Sequence, residues 1–154
     1  MDKLVIFGAS GHARVIREII ERNGRYAIAG IIAPAGEALE GIPNLGGVDA
    51  VVAIVKQHGI KAGIIAVGNN MRRAKITNKI SKNCPELQFP ALVHPSAVVA
   101  SNVELGEGTV VMAGAVIQPG ANIGNHAIIN TRASLDHDGK LGDFATLAPN
   151  VVTG

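Results

Sequence analysis

The sequence has little of several residue types, and each shortage excludes a class of protein. Among its 154 residues there is no tryptophan, aromatic residues make up only 3%, and Cys84 is the single cysteine. One cysteine excludes an internal disulfide framework, and we expect Cys84 to be a buried or half-buried thiol. No segment reaches roughly eighteen consecutive apolar residues, and the apolar run after Met1 is too short for a signal peptide. We therefore expect a cytoplasmic protein without a membrane span.

Charged side chains are also sparse, at 17% of the sequence, and the net charge is only +2. The chain has no basic run and no interleaving of basic with aromatic residues, features that are typical of proteins that bind nucleic acid. A nucleic-acid partner is therefore not expected. What the sequence does contain is an apolar fraction of 47% in which aromatic residues play almost no part.

In the second part of the chain, these aliphatic residues recur at every sixth position. The first places of the hexads are Val93, Val99, Leu105, Val111, Ile117, Ile123, Ile129, Leu135, Leu141 and Leu147. The fifth places, all small or β-branched, are Ala97, Val103, Thr109, Ala115, Ala121, Ala127, Ala133, Gly139, Ala145 and Val151. A fixed period indicates a stacked repeat, in which three hexads form one triangular coil that its neighbours cover. Residues 91–154 are therefore predicted to form a parallel β-helix of hexapeptide repeats.

Residues 1–90 follow a different pattern, in which apolar strands alternate with helical periodicity. Strands are predicted at residues 4–7, 27–32 and 62–67, and helices at residues 14–23, 48–58 and 71–83. Alternation of this kind predicts a small Rossmann-like α/β domain with a parallel sheet.

The turn between the first strand and the first helix is rich in small residues. Gly8 permits a tight turn, and Gly11 lets a ligand approach the backbone closely beside Ser10 and His12. The free N–H groups at the start of the next helix suit a phosphate. Such a turn also serves simply to pack a strand against a helix, so the sequence leaves both interpretations open.

The dinucleotide fingerprint requires a further residue, which is missing. A carboxylate after the second strand normally binds a ribose hydroxyl, but Ala33 and Pro34 stand there and Glu37 is the nearest acid. This argues against NAD and against a dehydrogenase.

Three polar or small residues follow the third predicted strand, at the edge where open sheets bind ligands. These are Gly68, Asn69 and Asn70. They are predicted to contact a ligand, and either asparagine is also suited to cap the following helix. The two roles are compatible.

Taken together, these motifs resemble the sialic acid O-acetyltransferases and the nucleotide-amino-sugar N-acetyltransferases of bacterial glycan synthesis, which are hexapeptide-repeat acyltransferases. The motifs that carry the resemblance are Gly8-Ala9-Ser10-Gly11-His12, Gly68-Asn69-Asn70 with Arg73, His94-Pro95-Ser96-Ala97, and Asn130 followed by His137-Asp138. The resemblance implies a left-handed β-helix and an N-terminal domain that binds a sugar or nucleotide-sugar. It also implies a homotrimer that binds acetyl-CoA in clefts between subunits.

The resemblance also assigns roles to residues in the repeats. It implies that His137 is the general base with Asp138 as its partner, that Asn130 contacts the acceptor, and that Gly142 and Thr146 contact acetyl-CoA. Thr146 is a departure, because the family often has a second histidine there. Ala33-Pro34 is another, because an acidic residue is common at that point.

The hexad register gives an independent test of the histidines. Only the first and fifth places point into the coil, so His137 is predicted to lie outside, between Asp136 and Asp138, where carboxylates can orient its ring. A solvated polar corner is the alternative for His137. His126, in the fourth place of its hexad, is expected to be a surface turn residue. With His94, the three histidines fall on different faces, so no metal site is expected within a subunit.

These inferences favour acyl transfer from acetyl-CoA to an amino or hydroxyl group of a sugar. Ten hexads, three to a coil, form only about three and a third coils. We therefore expect either a β-helix truncated at its C-terminus or an incomplete donor site. The alternative function is a non-catalytic trimer that binds a nucleotide-sugar or serves as a scaffold.

Overall fold

A computed structural model describes residues 1–154. The chain folds into two compact units, Met1–Pro90 and Ala91–Gly154. No helix in either unit is long and apolar enough to cross a membrane.

The first unit alternates strands with helices, as the sequence predicts. Its elements are β1 (Asp2–Phe7), α1 (Gly11–Asn23), β2 (Tyr26–Ile32), α2 (Val51–His58, after a 3-10 turn at Val48–Ala50), β3 (Ile60–Ile65) and α3 (Asn70–Asn83). The three strands form a parallel sheet in the order β2-β1-β3. The prediction of an α/β domain with a parallel sheet is confirmed.

Helix ends in this unit follow local chemistry. Gly24 and Gly59 end α1 and α2 in the left-handed conformation, with φ of 71° and 64°, which glycine adopts without a steric penalty. Helix α1 begins at Gly11, three residues before the predicted start, because Ser10 is already the extended N-cap residue. Within α1, Val15 is 42% exposed, whereas its neighbour Ile16 is buried.

The sheet of the first unit is covered on both faces. All four residues from Leu4 to Phe7 are buried, which is the burial expected of a central strand with helices on either side. Cys84 lies in this core with no exposed surface, so the prediction of a buried thiol is confirmed. Burial raises the pKa of the Cys84 thiol, and the neighbouring Glu86 adds to the effect.

The second unit consists of two-residue strands that pair in parallel at a constant interval. The strands are β4 (Leu92–Val93), β5 (Val98–Val99), β6 (Val110–Val111), β7 (Val116–Ile117), β8 (Asn122–Ile123), β9 (Ile128–Ile129), β10 (Ser134–Leu135), β11 (Lys140–Leu141) and β12 (Thr146–Leu147). Val93 pairs with Val111, Val111 with Ile129, and Ile129 with Leu147, a step of 18 residues or three hexads. Three separate parallel sheets result, in the orders β4-β6-β9-β12, β5-β7-β10 and β8-β11. The unit is a three-faced parallel coil.

The interior of the coil is filled by the first and fifth places of the hexads. In the middle coils these side chains are buried, from Val111 to Leu135. Burial of each large aliphatic side chain contributes about 1.5–3 kcal/mol to the free energy of folding. Thr109 is the one polar residue among the fifth places, and it is fully buried. Its hydroxyl donates to the Gly124 carbonyl at 2.8 Å and accepts from the Ala127 N–H at 3.1 Å, so both of its hydrogen-bonding roles are satisfied.

The fourth places form the corners of the coil. Every fourth-place residue from Asn102 to Asn150 has a left-handed backbone, with φ between 51° and 78°. Glycine occupies three of these corners; the others are Asn102, His126, Arg132, Asp138, Phe144 and Asn150. Asn, Asp and His tolerate this conformation better than most residues do.

The expectation that His126 is a surface turn residue is wrong. Its side chain is only 2% exposed and its ring stacks on Phe144, with centroids 5.4 Å apart and planes 7° from parallel. On the preceding coil stands Gly108, where a Cβ would lie 2.2 Å from Nδ1 of His126. The glycine leaves the space that the ring fills, and the 18-residue step stacks Gly108, His126 and Phe144 in one column.

Candidate functional site

Gly8 is required by the backbone of the sheet itself. Its φ is +124°, and a Cβ at this position would lie 2.7 Å from the carbonyl oxygen of Ala66. Its N–H donates to the carbonyl of Ile32 at 3.0 Å, which joins the start of the turn to β2. The tight turn predicted at Gly8 is therefore a structural necessity, whatever ligand the turn binds.

The next two residues of the turn present polar groups without crowding. Ser10 is the N-cap residue of α1, but its side chain makes no capping hydrogen bond. A Cβ at Gly11 would meet only the end of the Arg14 side chain, at 3.7 Å. The Ser10 hydroxyl and the space beside Gly11 are thus open to a ligand.

The segment after β3 is ordered by side-chain caps. The side-chain oxygen Oδ1 of Asn69 accepts a hydrogen bond from the Arg72 N–H at 2.9 Å, so the capping role expected for an asparagine here belongs to Asn69. Gly68 and Asn69 also line a cavity with Ser10. The capping role is confirmed, and contact of the segment with a ligand stays a prediction.

Arg73 holds this segment in place through side-chain hydrogen bonds. Its side chain is only 1% exposed, and it donates to the carbonyls of Val67 at 2.9 Å and Gly68 at 3.1 Å, and to Asn70 Oδ1 at 2.8 Å. Burial lowers the pKa of the guanidinium, which still remains charged at neutral pH. Asn70 therefore contacts Arg73. Both residues belong to a motif noted in the sequence, but the contact itself was not predicted.

His12 lies near Arg73. It is not among the residues that line the two cavities described below. Burial, together with the Arg73 charge, lowers the pKa of His12 to about 4. Its Nε2 is buried and makes no hydrogen bond within the protein. The ring is therefore neutral at pH 7, and contact of His12 with an acceptor stays a prediction.

Two cavities adjoin at the carboxyl edge of the sheet. The first, of about 350 Å³, is mainly apolar and is lined by Phe7, Gly8, Ile32, Ala33, Pro34, Glu37, Gly47, Val48, Asp49, Val67, Arg72 and Ile76. The second, of about 370 Å³, is more polar and is lined by Gly8, Ala9, Ser10, Glu37, Ala38, Ala66, Val67, Gly68, Asn69 and Arg72. Sequence reasoning missed Arg72, whose only signal was its place in a basic helix.

In the coil, His137 lies on the outside, next to the corner residue Asp138, and the exposed position agrees with the hexad register. Its side chain is 72% exposed, and Nδ1 lies 3.1 Å from Oδ2 of Asp138. A carboxylate only accepts, so we assign the Nδ1–H tautomer, which leaves the lone pair on Nε2 free. The hydrogen bond that His137 donates to Asp138 raises the pKa of His137, and the charges of Asp136 and Asp138 add to the effect.

Further residues hold this corner in place. The His137 N–H donates to Asp136 Oδ1 at 2.8 Å, and the Asp136 N–H donates to the Thr153 hydroxyl at 3.2 Å. A Cβ at Gly120 would lie 2.1 Å from Oδ1 of Asp138, so the glycine makes room for this carboxylate. Sequence reasoning missed Gly120 and Thr153, although counting 18 residues back from Asp138 would have found the glycine.

The other predicted residues of the coil lie apart from this corner. Asn130 stands on the preceding hexad, where its side chain accepts from the Thr131 N–H at 2.8 Å, and no hydrogen bond joins it to His137. Gly142 is exposed, and a Cβ there would meet nothing within 4 Å. Thr146 is half-buried in β12.

A small α/β domain followed by a parallel coil of hexads is the arrangement expected of the hexapeptide-repeat acyltransferases. Residues 3–80 match the family described as the PglD N-terminal domain. A UDP-N-acetylbacillosamine N-acetyltransferase of Bacillus subtilis (strain 168) is 36% identical over 115 residues, which are 73% of this chain and 52% of the relative. The chain belongs to the family of nucleotide-amino-sugar N-acetyltransferases.

Solved structures agree with this assignment. A histidine-to-alanine mutant of GDP-perosamine N-acetyltransferase from Caulobacter crescentus, in complex with CoA and GDP-perosamine, has a TM-score of 0.90 at 35% identity. The match covers 99% of this chain and 71% of that one. The acetyltransferase domain of PglB from Neisseria gonorrhoeae FA1090, in complex with acetyl coenzyme A, has a TM-score of 0.83 at 32% identity and covers 96% and 70%. The chain spans about half the length of the curated relative it matches.

Proposed function

We propose that this protein transfers an acetyl group from acetyl-CoA to the amino group of a nucleotide-linked sugar. The observation that carries the proposal is the exposed His137, with Nδ1 held by Asp138 and Nε2 left free. Transfer to nitrogen is preferred to transfer to oxygen because the similar proteins are N-acetyltransferases.

In this mechanism His137 acts as the general base. Its Nε2 accepts a proton from the sugar amino group as the nitrogen attacks the thioester carbonyl, and Asp138 stabilises the charged ring. The new N–C bond forms, the C–S bond breaks, and the sulfur leaves as the thiol of CoA with the proton returned by His137. A backbone N–H of the coil stabilises the oxyanion.

The α/β domain is proposed to hold the nucleotide-sugar. The Gly8–Gly11 turn supplies backbone N–H groups at the start of α1, and the Ser10 hydroxyl is free of internal hydrogen bonds. Gly68, Asn69 and Ser10 line one cavity together. We further propose that His12 and Asn70 support this site and that Asn130 contacts the acceptor from the coil.

The coil is proposed to be a left-handed β-helix that forms a homotrimer and binds acetyl-CoA in clefts between subunits. Gly142 supports this role, because the open space at its α-carbon leaves room for an extended ligand against the backbone. Thr146 is proposed to contact the donor in the place where the family often has histidine.

The function is tested by incubating the protein with acetyl-CoA and either UDP- or GDP-linked amino sugars while release of free CoA thiol is followed. The chain and a form extended by further hexads are assayed in parallel, with the corresponding hydroxyl sugars as the control acceptors. Thiol release that depends on the amino sugar is the expected result. Binding of the nucleotide-sugar without thiol release in both forms would instead establish the non-catalytic alternative.

A further inference from the structure

We propose that Glu37 hydrogen-bonds to the ribose of the nucleotide and that Arg72 binds its diphosphate. The ligand of the α/β domain is then a ribonucleoside diphosphate sugar. The inference rests on the proposed function, because it names the groups that recognise the acceptor.

The first observation is that the two cavities at the sheet edge share part of their lining. Gly8, Val67, Glu37 and Arg72 line both of them. Only Glu37 and Arg72 of these four are charged, so the junction between the cavities carries one carboxylate and one guanidinium.

One cavity is mainly apolar and the other is more polar, which matches a nucleotide with a flat base at one end and charged phosphates at the other. The apolar cavity, bounded by Phe7, Pro34 and Val48, suits a flat base. The polar cavity, with Ser10 and Asn69, suits phosphates. A ligand that places its base in one and its phosphates in the other has its ribose at the junction.

The two charged side chains at the junction suit different groups of the ligand. A carboxylate repels a phosphate but accepts hydrogen bonds from hydroxyl groups, so Glu37 suits the ribose. The guanidinium of Arg72 suits the phosphates, with which it can form bidentate hydrogen bonds. Glu37 thus performs the role that the dinucleotide fingerprint gives to a carboxylate directly after β2, where this chain has Ala33 and Pro34.

The backbone around Glu37 is held in place by Asn44. The Asn44 side-chain amide donates to the carbonyls of Ala33 at 3.3 Å, Pro34 at 3.4 Å and Glu37 at 3.1 Å. The Glu37 N–H in turn donates to the Pro34 carbonyl at 3.1 Å, which closes a turn. This turn carries the carboxylate back to the sheet edge although it lies five residues beyond the end of β2 at Ile32.

The side chain of Arg72 is available to a ligand, in contrast to that of Arg73. Arg73 is buried and occupied by backbone carbonyls, whereas Arg72 is exposed at the first turn of α3. Only its backbone N–H is engaged, by Asn69, and its guanidinium forms no ion pair.

The test is calorimetric titration of the whole chain with UDP and GDP, with their 2′-deoxy and 3′-deoxy counterparts, and with uridine and guanosine. The variants are Glu37→Ala, Glu37→Gln and Arg72→Ala. Glu40→Ala and Lys75→Ala are the matched controls, since both residues are exposed and line neither cavity. Melting temperatures establish that each variant is folded.

We expect wild type to lose affinity when a ribose hydroxyl is removed, and Glu37→Ala to bind ribose and deoxyribose forms equally. Loss of a hydrogen bond to a charged group should weaken UDP or GDP binding about tenfold or more in Glu37→Ala. Arg72→Ala should weaken binding of the diphosphates, with a smaller salt dependence, and leave uridine and guanosine unaffected. The control variants should bind as wild type does.

The possible negative results separate the roles of Glu37 and Arg72 from the proposed function. If wild type binds nucleotides but ignores the ribose hydroxyls, or if Glu37→Ala keeps the preference, the role of Glu37 is overturned while the proposed function stands. Unchanged diphosphate binding by Arg72→Ala overturns the role of Arg72. If wild type binds no nucleotide at all, the proposed acceptor site is wrong as well.

Discussion

Two histidines of this chain have pKa values displaced in opposite directions by their surroundings. His12 is largely withdrawn from water beside the Arg73 charge, and both effects disfavour its protonated form. His137 stands in water beside two carboxylates, which favour protonation. The register of the hexads was sufficient to predict the exposed position of His137. The lowered pKa of His12 depends on its burial and on the charge of Arg73, 61 positions along the chain, and no local pattern indicates either.

The first prediction concerns the titration of His12. The ring should titrate near pH 4, as measured from the chemical shifts of its ring protons by NMR. Because the unfolded chain takes up this proton near pH 6.5 and the folded chain does not, stability should fall as the pH decreases from about 6.5 to 4, by at most about 1.4 kcal/mol per pH unit. A midpoint of His12 near 6.5 would show that the ring is solvated.

The second prediction concerns the pH dependence of catalysis. The neutral form of His137 is the proposed base, so kcat/KM should decrease as the pH is lowered, with a midpoint above 6.5 because the pKa is raised. Asp138→Asn removes the largest cause of that shift, and its midpoint should move to lower pH. Profiles of wild type and Asp138→Asn that coincide would exclude the pairing from the mechanism.

At the level of elements, the coil was more predictable than the α/β domain. The period of six fixed the strands and the interior, because a buried first place recurs whatever the rest of the hexad contains. The burial of His126 escaped this reasoning. It results from stacking across the 18-residue step, where Gly108 below and Phe144 above enclose the ring. Contacts between coils therefore have to be sought between residues 18 positions apart, which is three hexads.

The β1–α1 turn yields a third prediction, which separates structure from binding. Gly8→Ala should destabilise the protein by about 1–3 kcal/mol, because its φ is +124° and its Cβ would clash with the Ala66 carbonyl. Gly11→Val should leave the free energy of unfolding nearly unchanged, because its Cβ meets only the flexible Arg14 side chain.

Ligand binding, in contrast to stability, should be affected by the substitution at Gly11. Gly11→Val should weaken nucleotide-sugar binding and leave acetyl-CoA binding unaltered, as followed by titration calorimetry together with urea denaturation. Equal loss of both ligands in Gly11→Val would point to a disturbed fold, and unaltered nucleotide-sugar binding would remove the turn from the site.

For the molecule as a whole, sequence motifs predicted a separate role for each unit, but they did not indicate which charged side chains lie together within a unit. Glu37 and Arg72 lie 35 positions apart, and only the sheet edge brings both to the same pair of cavities. A residue contributed by a turn far from its strand has no sequence spacing that identifies it.

The fourth prediction concerns assembly. The protein should form a homotrimer, with a mass near three times 15.8 kDa in sedimentation equilibrium at micromolar concentration. A monomer under these conditions would remove the proposed clefts between subunits, and with them the proposed donor site.

His137 is the proposed base of an acetyl transfer to a nucleotide-linked amino sugar. The most direct measurement compares kcat for release of CoA thiol by wild type, His137→Ala and the control Lys140→Ala, in the active form of the protein. A positioned base supplies about 10²–10⁴ in rate, so kcat of His137→Ala should fall by that factor. The melting temperature should stay the same, because the side chain is 72% exposed. Lys140→Ala should react as wild type does. A wild-type rate in His137→Ala would contradict the account.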